Sequence, residues 1–120
     1  MTLAAVLAGD IAVALGFFIT FFVVKENTFA SATIEVSKDQ KVISSGLYSI
    51  VRHPMYTGGL LIVLGTPLAL ASLWGLVVFA LSVIWLVGRL VHEEKFLSAN
   101  LAGYNQYRDK VQYRLVPYIW

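Results

Sequence analysis

An all-α integral membrane fold is predicted by three features of this chain. Hydrophobic residues make up 58% of its 120 positions and charged residues only 13%, against roughly 45–50% and about 25% in ordinary soluble domains. The apolar residues are gathered into two long blocks, 3–24 and 55–91. The charges are segregated: all nine Lys and Arg residues lie at or after Lys25, and the first 24 positions hold only Asp10. The expected architecture is one N-terminal transmembrane helix, a polar connector, a two-helix hairpin and a C-terminal amphipathic helix. Together they form a single domain over residues 1–120.

Residues 3–24 are apolar except for Asp10 and Thr20, enough for one span, which needs roughly 20 residues. A signal peptide cut near Ala30-Ser31-Ala32 is the rival reading. It lacks a basic n-region and would have to tolerate Asp10. Residues 25–54 are polar and mixed, with Lys25-Glu26-Asn27, Ser37-Lys38-Asp39-Gln40-Lys41 and Ser44-Ser45-Gly46. They also keep Ile34, Val36, Val42, Ile43, Leu47, Tyr48, Ile50 and Val51, too many apolar groups for a disordered linker. An ordered connector at the membrane surface is expected.

The second block, 55–91, is too long for one span and carries a break signal at Ser72-Leu73-Trp74-Gly75. Helices over 55–71 and 75–92 are predicted, with Pro54 in the first turn, where a missing N–H is no loss. Pro67 marks a kink that neighbouring helices would satisfy. Gly58, Gly59, Gly65, Gly75 and Gly88 would let backbones approach closely. From residue 92 the chain turns polar, with Phe96, Leu97, Leu101, Tyr104, Tyr107 and Val111 at helical spacings, so an amphipathic surface helix over 92–113 is expected, with Gly103 as an interruption. Pro117 and Trp120 supply an interfacial anchor.

A hairpin returns to the side it left, so 25–54 and 92–120 share one face. The basic residues outside the membrane belong to those segments, which makes that face cytoplasmic under the positive-inside rule. The formal charge of +2 and the lack of a basic stripe give no sign of nucleic-acid binding. With no cysteine, thiolate metal sites and cysteine nucleophiles are excluded. His92 and Glu93 are adjacent, so HExxH-type metal spacing is absent, as are GxGxxG and P-loop nucleotide cradles.

Chemistry concentrates where charge brackets the second apolar block. Arg52-His53-Pro54-Met55-Tyr56 opens it and Arg89-Leu90-Val91-His92-Glu93-Glu94 closes it, and ionisable residues at such boundaries are costly in hydrocarbon. Arg89 and Glu93 are four apart and share a helix face, with His92 and Glu94 directed elsewhere on that turn. Taken singly, Arg89 and Glu93 read as a surface ion pair, His53 as a headgroup-level histidine, and Tyr48, Tyr56, Tyr104 and Tyr107 as interfacial aromatics. The hairpin, however, brings both brackets to one membrane face beside the connector, as a pocket half in lipid and half in water. Such a pocket suits a polar cofactor from the cytosol and a lipidic substrate from the bilayer.

An ordered series of residues carries a resemblance. It runs through Val42-Ile43-Ser44-Ser45-Gly46-Leu47-Tyr48, Val51-Arg52-His53-Pro54-Met55-Tyr56-x-Gly58 and Gly65. After the hairpin it continues through Arg89-x-x-x-Glu93-Glu94-x-x-Leu97, Tyr104-x-x-Tyr107, Val111 and Arg114-Leu115-x-Pro117. Over about residues 25–120 the chain resembles the membrane methyltransferases typified by isoprenylcysteine carboxyl methyltransferase and the related bacterial and phospholipid methyltransferases. The resemblance implies S-adenosylmethionine as methyl donor, with Gln40, Lys41, Val42, Ile43, Tyr48, His53, Pro54, Met55, Tyr56 and Glu93 as cofactor contacts. It assigns Arg89 to the carboxylate of a lipidic or amphiphilic acceptor, making Arg89 and Glu93 the catalytic pair. Gln40 and Lys41 match by position more than by residue type. Family members commonly carry further helices ahead of the segment matching 3–24, and Leu101-Ala102-Gly103-Tyr104 stands where Phe-Gly-x-x-Tyr is more usual.

Cationic sulfonium suits tyrosine faces and a carboxylate. A carboxylate acceptor needs no general base, whereas an amine must lose a proton and would call on His53 or Glu93. The residues leave that choice open. Two other classes are weighed. A reductase of the sterol reductase type shares the RH-x-x-Y element, but Glu93-Glu94 would repel the extra phosphate of NADPH. A non-catalytic small membrane protein, or a truncated family member, would use its glycine faces and Asp10 to meet a partner helix. Three spans burying a cofactor would also benefit from self-association.

Overall fold

The computed structural model describes residues 1–29, 36 and 39–120; the proposed cleavage site and the middle of the connector lie outside them. Among the described residues there are four α-helices and no strand: α1 (Leu3–Glu26), α2 (Pro54–Ala69), α3 (Leu73–Asn100) and α4 (Tyr104–Lys110), with a 3-10 turn at Gly46–Ser49.

Local chemistry sets the ends. Thr2 caps α1 by accepting the Ala5 N–H at 3.2 Å, and Ser72 caps α3 by accepting the Gly75 N–H at 3.1 Å, satisfying donors with no intrahelical partner. Pro54 occupies the first turn of α2. The break between α2 and α3 is Leu70-Ala71-Ser72, a few residues earlier than the sequence suggested, with Ala71 at a positive φ of 52°.

Antiparallel packing of α1 on α2 is set by glycine. A Cβ added at Gly65 would lie 2.6 Å from the Gly9 carbonyl oxygen and 2.8 Å from the Val13 nitrogen, and one added at Gly58 would lie 2.8 Å from Thr20 Oγ1. Only hydrogen fits there, so the two backbones touch, as small residues allow between membrane helices.

Apart from Asp10 on α1, the outward faces of α1 and α3 are mainly apolar: Ile11 is 67% exposed, Trp74 83% and Ile84 72%. A helix that is apolar on every face belongs in lipid or in a large core, and a chain of this size has no such core. Two helices, α1 and α3, are long and apolar enough to cross a membrane, and α1 is locked into the fold through Gly9 and Gly16. The protein is therefore an integral membrane protein. The helix α2, counted as a span in the expected hairpin, has 16 residues, about 24 Å of helix at 1.5 Å per residue.

The helix boundary expected at residue 92 is not where α3 ends. Its 28 residues run without a break through His92-Glu93-Glu94-Lys95 to Asn100, about 42 Å. The amphipathic helix expected over 92–113 is thus two pieces: the last turns of α3, and α4 after a left-handed Gly103 at φ 86°. The interruption at Gly103 is present. The acidic turn consequently rides on the same rigid rod as the apolar span.

Candidate active site

The C-terminal ends of α1 and α3, the N-terminal end of α2, the 3-10 turn, α4 and the tail after it converge at one end of the molecule. Asn27, capping α1, donates through Nδ2 to the Tyr48 hydroxyl at 3.0 Å, and Ser45 donates to Glu26. The Tyr107 hydroxyl of α4 donates to the Tyr48 carbonyl at 2.7 Å. Tyr104, Tyr107 and Val111 form a buried cluster with Val42, Tyr48, Leu97 and Leu101 against it. The tail is fastened to α2, since Arg52 N–H donates to Tyr113 at 2.8 Å, His53 N–H to Arg114 at 2.9 Å, and Thr57 Oγ1 to the Leu115 carbonyl at 2.8 Å.

Two polar knots lie on this frame. In the first, the Tyr56 hydroxyl donates to Glu93 Oε2 and accepts from Arg89 Nε at 3.1 Å. The Arg89 guanidinium lies 5.5 Å from the Trp85 ring centroid. Arg89 and Glu93 thus meet at a tyrosine on the opposing helix, which the surface-pair reading did not anticipate.

The second knot is more deeply buried, and spacing alone did not find it. Glu94, which the sequence set aside with His92, turns inward and is 5% exposed, while His92 is exposed. Its Oε1 lies 3.0 Å from Arg52 Nη2 and 3.2 Å from His53 Nε2, and its Oε2 lies 3.0 Å from Arg114 Nε. The Arg114 guanidinium itself lies over the Trp120 ring, 4.9 Å from its centroid. The rings of His53 and Tyr56, 5.6 Å apart, join the two knots. Arg52 Nε and the Tyr104 hydroxyl are buried without a hydrogen-bond partner among the described residues.

Of the sequence-predicted residues, Tyr56, Arg89 and Glu93 are brought together, and His53 joins them through its ring. Val42 and Tyr48 pack against α4. Pro54 is buried, Gln40, Ile43 and Met55 are half-buried, and Lys41 is exposed. The residues missed are Glu94 as a hub and Arg114 as its partner from the tail.

The tyrosines here are buried phenols. Burial is the main cause that pushes Tyr104 up to about 12, with the Glu94 charge adding to it. Burial likewise raises Tyr107, with Tyr104 and Tyr48 beside it. It raises Tyr48 too, against an opposing hydrogen bond from Asn27. Because the folded values lie above the ordinary 10.0, these groups favour the folded state below pH 10, and that contribution is lost as pH rises through about 12. An alkaline titration followed by tyrosinate absorbance should show Tyr48, Tyr104 and Tyr107 ionising late, with loss of helicity accompanying them. Ionisation of all six tyrosines near the ordinary value, with helicity intact, would refute the burial.

Apolar helices of spanning length with a polar cluster gathered at one end define an integral membrane protein. A family model described as phospholipid methyltransferase matches residues 4–103, and the chain belongs to that family. It is also similar to the protein-S-isoprenylcysteine O-methyltransferase of Schizosaccharomyces pombe (strain 972), with 36% identity over 78 residues, 62% of this chain and 33% of the relative. The chain thus spans about a third of that relative's length.

Proposed function

We propose that this protein is an S-adenosylmethionine-dependent methyltransferase acting on a carboxylate or amine of a lipidic or amphiphilic acceptor at the membrane–cytosol boundary. The observation that carries this reading is the Tyr56–Glu93–Arg89 knot. It holds a carboxylate, a phenol and a guanidinium together where two apolar helices end, in a chain of the phospholipid methyltransferase family. Residues 1–120 act as one unit in this reading. The helices α1 and α3 span the bilayer with α2 alongside, and the connector and C-terminal segment are cytoplasmic. Membrane lipids cover the exposed apolar faces, and self-association would bury part of them.

The donor set fits the cofactor. Tyrosine rings and Glu93 suit a cation, and two buried donors without partners, Arg52 Nε–H and the Tyr104 hydroxyl, leave polar capacity for a ligand. Gln40, Lys41, Val42, Ile43, Tyr48, His53, Pro54, Met55, Tyr56 and Glu93 would hold it, and Arg89 would engage an acceptor carboxylate. When bound, the cofactor supplies an electrophilic methyl group on a sulfonium. The protein's own work is alignment of donor and acceptor in a partly dry site. Tyr56 fixes the Glu93 carboxylate, and Arg89 beside it limits the build-up of negative charge. A carboxylate acceptor is ready as an anion, whereas an amine must surrender a proton within this knot. The reductase reading is not favoured, because the matching family is one of methyltransferases.

The test is calorimetry on detergent-purified protein with S-adenosylmethionine and NADPH. Saturable S-adenosylmethionine binding is expected. Glu93→Ala should weaken it roughly tenfold or more, the cost of losing a charge-assisted contact. Arg89→Ala should change it less and should act on acceptor use instead. NADPH binding, or no binding of S-adenosylmethionine, would overturn the reading.

A further inference from the structure

We propose that Glu94 is a positioning residue that fixes His53 through Nε2 and so commits Nδ1 as the ring nitrogen offered to the methyl donor. This rests on the function proposed above. His53 stands at the junction of the connector and α2, with its ring between the Glu94 knot and Tyr56. Its Nε2 points into the interior, 3.2 Å from Glu94 Oε1, and its backbone N–H is taken by the Arg114 carbonyl. Both backbone and ring are therefore held, and the side chain is 5% exposed.

The chemistry of the contact decides which ring nitrogen donates. The Glu94 carboxylate also receives two guanidiniums, those of Arg52 and Arg114. A carboxylate only accepts, so the ring nitrogen that faces it, Nε2, is the one that donates. The hydrogen bond at one ring nitrogen determines the state of the other, leaving Nδ1 as a lone-pair acceptor. It is matched to an N–H or O–H donor, which S-adenosylmethionine carries as its ammonium and ribose hydroxyls. His53 then cannot serve as a base through Nε2, and with Nδ1 taken up by the methyl donor any proton from an amine acceptor falls to the Tyr56–Glu93 pair.

Glu94 and Arg114 have separable roles, and that makes the idea testable. Glu94→Gln retains an acceptor oxygen for Arg52 and His53, while Glu94→Leu removes it. Arg114→Ala removes a partner of Glu94 that does not touch the His53 ring. A purely structural hub predicts that Glu94→Leu and Arg114→Ala lose probe affinity only in proportion to the stability each loses; a positioning role predicts that Glu94→Leu loses affinity in protein that is still folded, together with the change at the His53 ring nitrogens.

The chain has two histidines, so selective 15N-histidine labelling in detergent reads His53 directly, with exposed His92 as the internal reference. In the ligand-free wild type, His53 should show a protonated, slowly exchanging Nε2 and an unprotonated Nδ1. S-adenosylhomocysteine, used as the probe, should shift the Nδ1 signal and leave His92 unmoved. By calorimetry, Arg114→Ala and Glu94→Gln should bind this probe within about threefold of wild type. Glu94→Leu should bind it roughly tenfold more weakly and lose the slow Nε2 proton. If Glu94→Leu does not fold, the wild-type spectrum and the Arg114→Ala affinity still decide the matter. Protonation of both ring nitrogens, a proton on Nδ1 alone, an Nδ1 signal indifferent to the probe, or Arg114→Ala as damaging as Glu94→Leu would overturn the proposal. If the wild type bound no probe at all, the methyltransferase reading would fall, whereas the ligand-free spectrum would still judge the hold of Glu94 on His53.

Discussion

Glu94→Ala should be the most destabilising single substitution at the polar end of the molecule, at about 3–5 kcal/mol, the range for removing one partner of a buried ion pair. The carboxylate is the common acceptor for Arg52, His53 and Arg114, and the Arg52 side chain is only 7% exposed. Alanine would leave that guanidinium buried beside a second one with no negative charge between them. The penalty is therefore dominated by an uncompensated charge and not by lost attraction, since paired buried ions contribute little net stability over apolar groups of the same shape. Two controls follow from this asymmetry. Arg114, 31% exposed, can turn to water, so Arg114→Ala should cost about 1 kcal/mol, as expected of a partly screened pair. The double replacement Arg52→Met with Glu94→Ala should recover much of what Glu94→Ala loses, because the stranded charge is gone. Unfolding by SDS titration, followed by helical circular dichroism, measures all three. Equal losses for Glu94→Ala and Arg114→Ala would contradict the buried-hub account.

The same cluster shows where sequence reading succeeds and where it stops. Arg89 and Glu93 could be placed on one face because four-residue spacing is a local property of a helix. Glu94 lies one position on, and its contacts are with His53, 41 residues away, and Arg114, 20 residues away. No periodicity encodes such partners; they exist only after α2, α3 and the tail have packed. The error at residue 92 has a different cause. The shift from apolar to charged composition was read as a helix boundary, but Glu93, Glu94, Lys95, Phe96 and Leu97 include good helix formers, and no Gly or Pro occurs until Gly103. Composition reports the surroundings of a helix, and only breakers and caps report its end. The α1–α2 contact was half legible. Of the glycines that the sequence marks for close approach, Gly58, Gly65 and Gly75 make one, whereas Gly59 and Gly88 have no neighbour within 4 Å among the described residues. The α1 partners, Gly9 for Gly65 and Gly16 for Gly58, are not among those named, because their meeting depends on a register that spacing does not give.

Gly65→Ala should destabilise the helix pair by about 3 kcal/mol, the upper part of the usual range for overpacking. The added methyl would meet the Gly9 carbonyl oxygen at 2.6 Å and the Val13 nitrogen at 2.8 Å. Both are backbone atoms, so no flexible side chain can give way and α1 itself must shift. Gly88→Ala is the opposite case: nothing lies within 4 Å of its Cβ position, and alanine is the better helix former by about 1 kcal/mol. It should be neutral or slightly stabilising in the same SDS titration, and equal losses at the two glycines would disprove the close α1–α2 packing. The consequence for function follows from how α1 ends. Glu26 and Asn27 reach Ser45 and Tyr48, and Tyr48 is tied to α4 through Tyr107. A displaced α1 pulls on that chain of hydrogen bonds, so Gly65→Ala should weaken S-adenosylmethionine binding even in protein that remains folded. Gly65 lies on the opposite half of α2 from His53 and Tyr56, at least about two and a half turns from either knot, so such a loss would have to travel through the α1 rod.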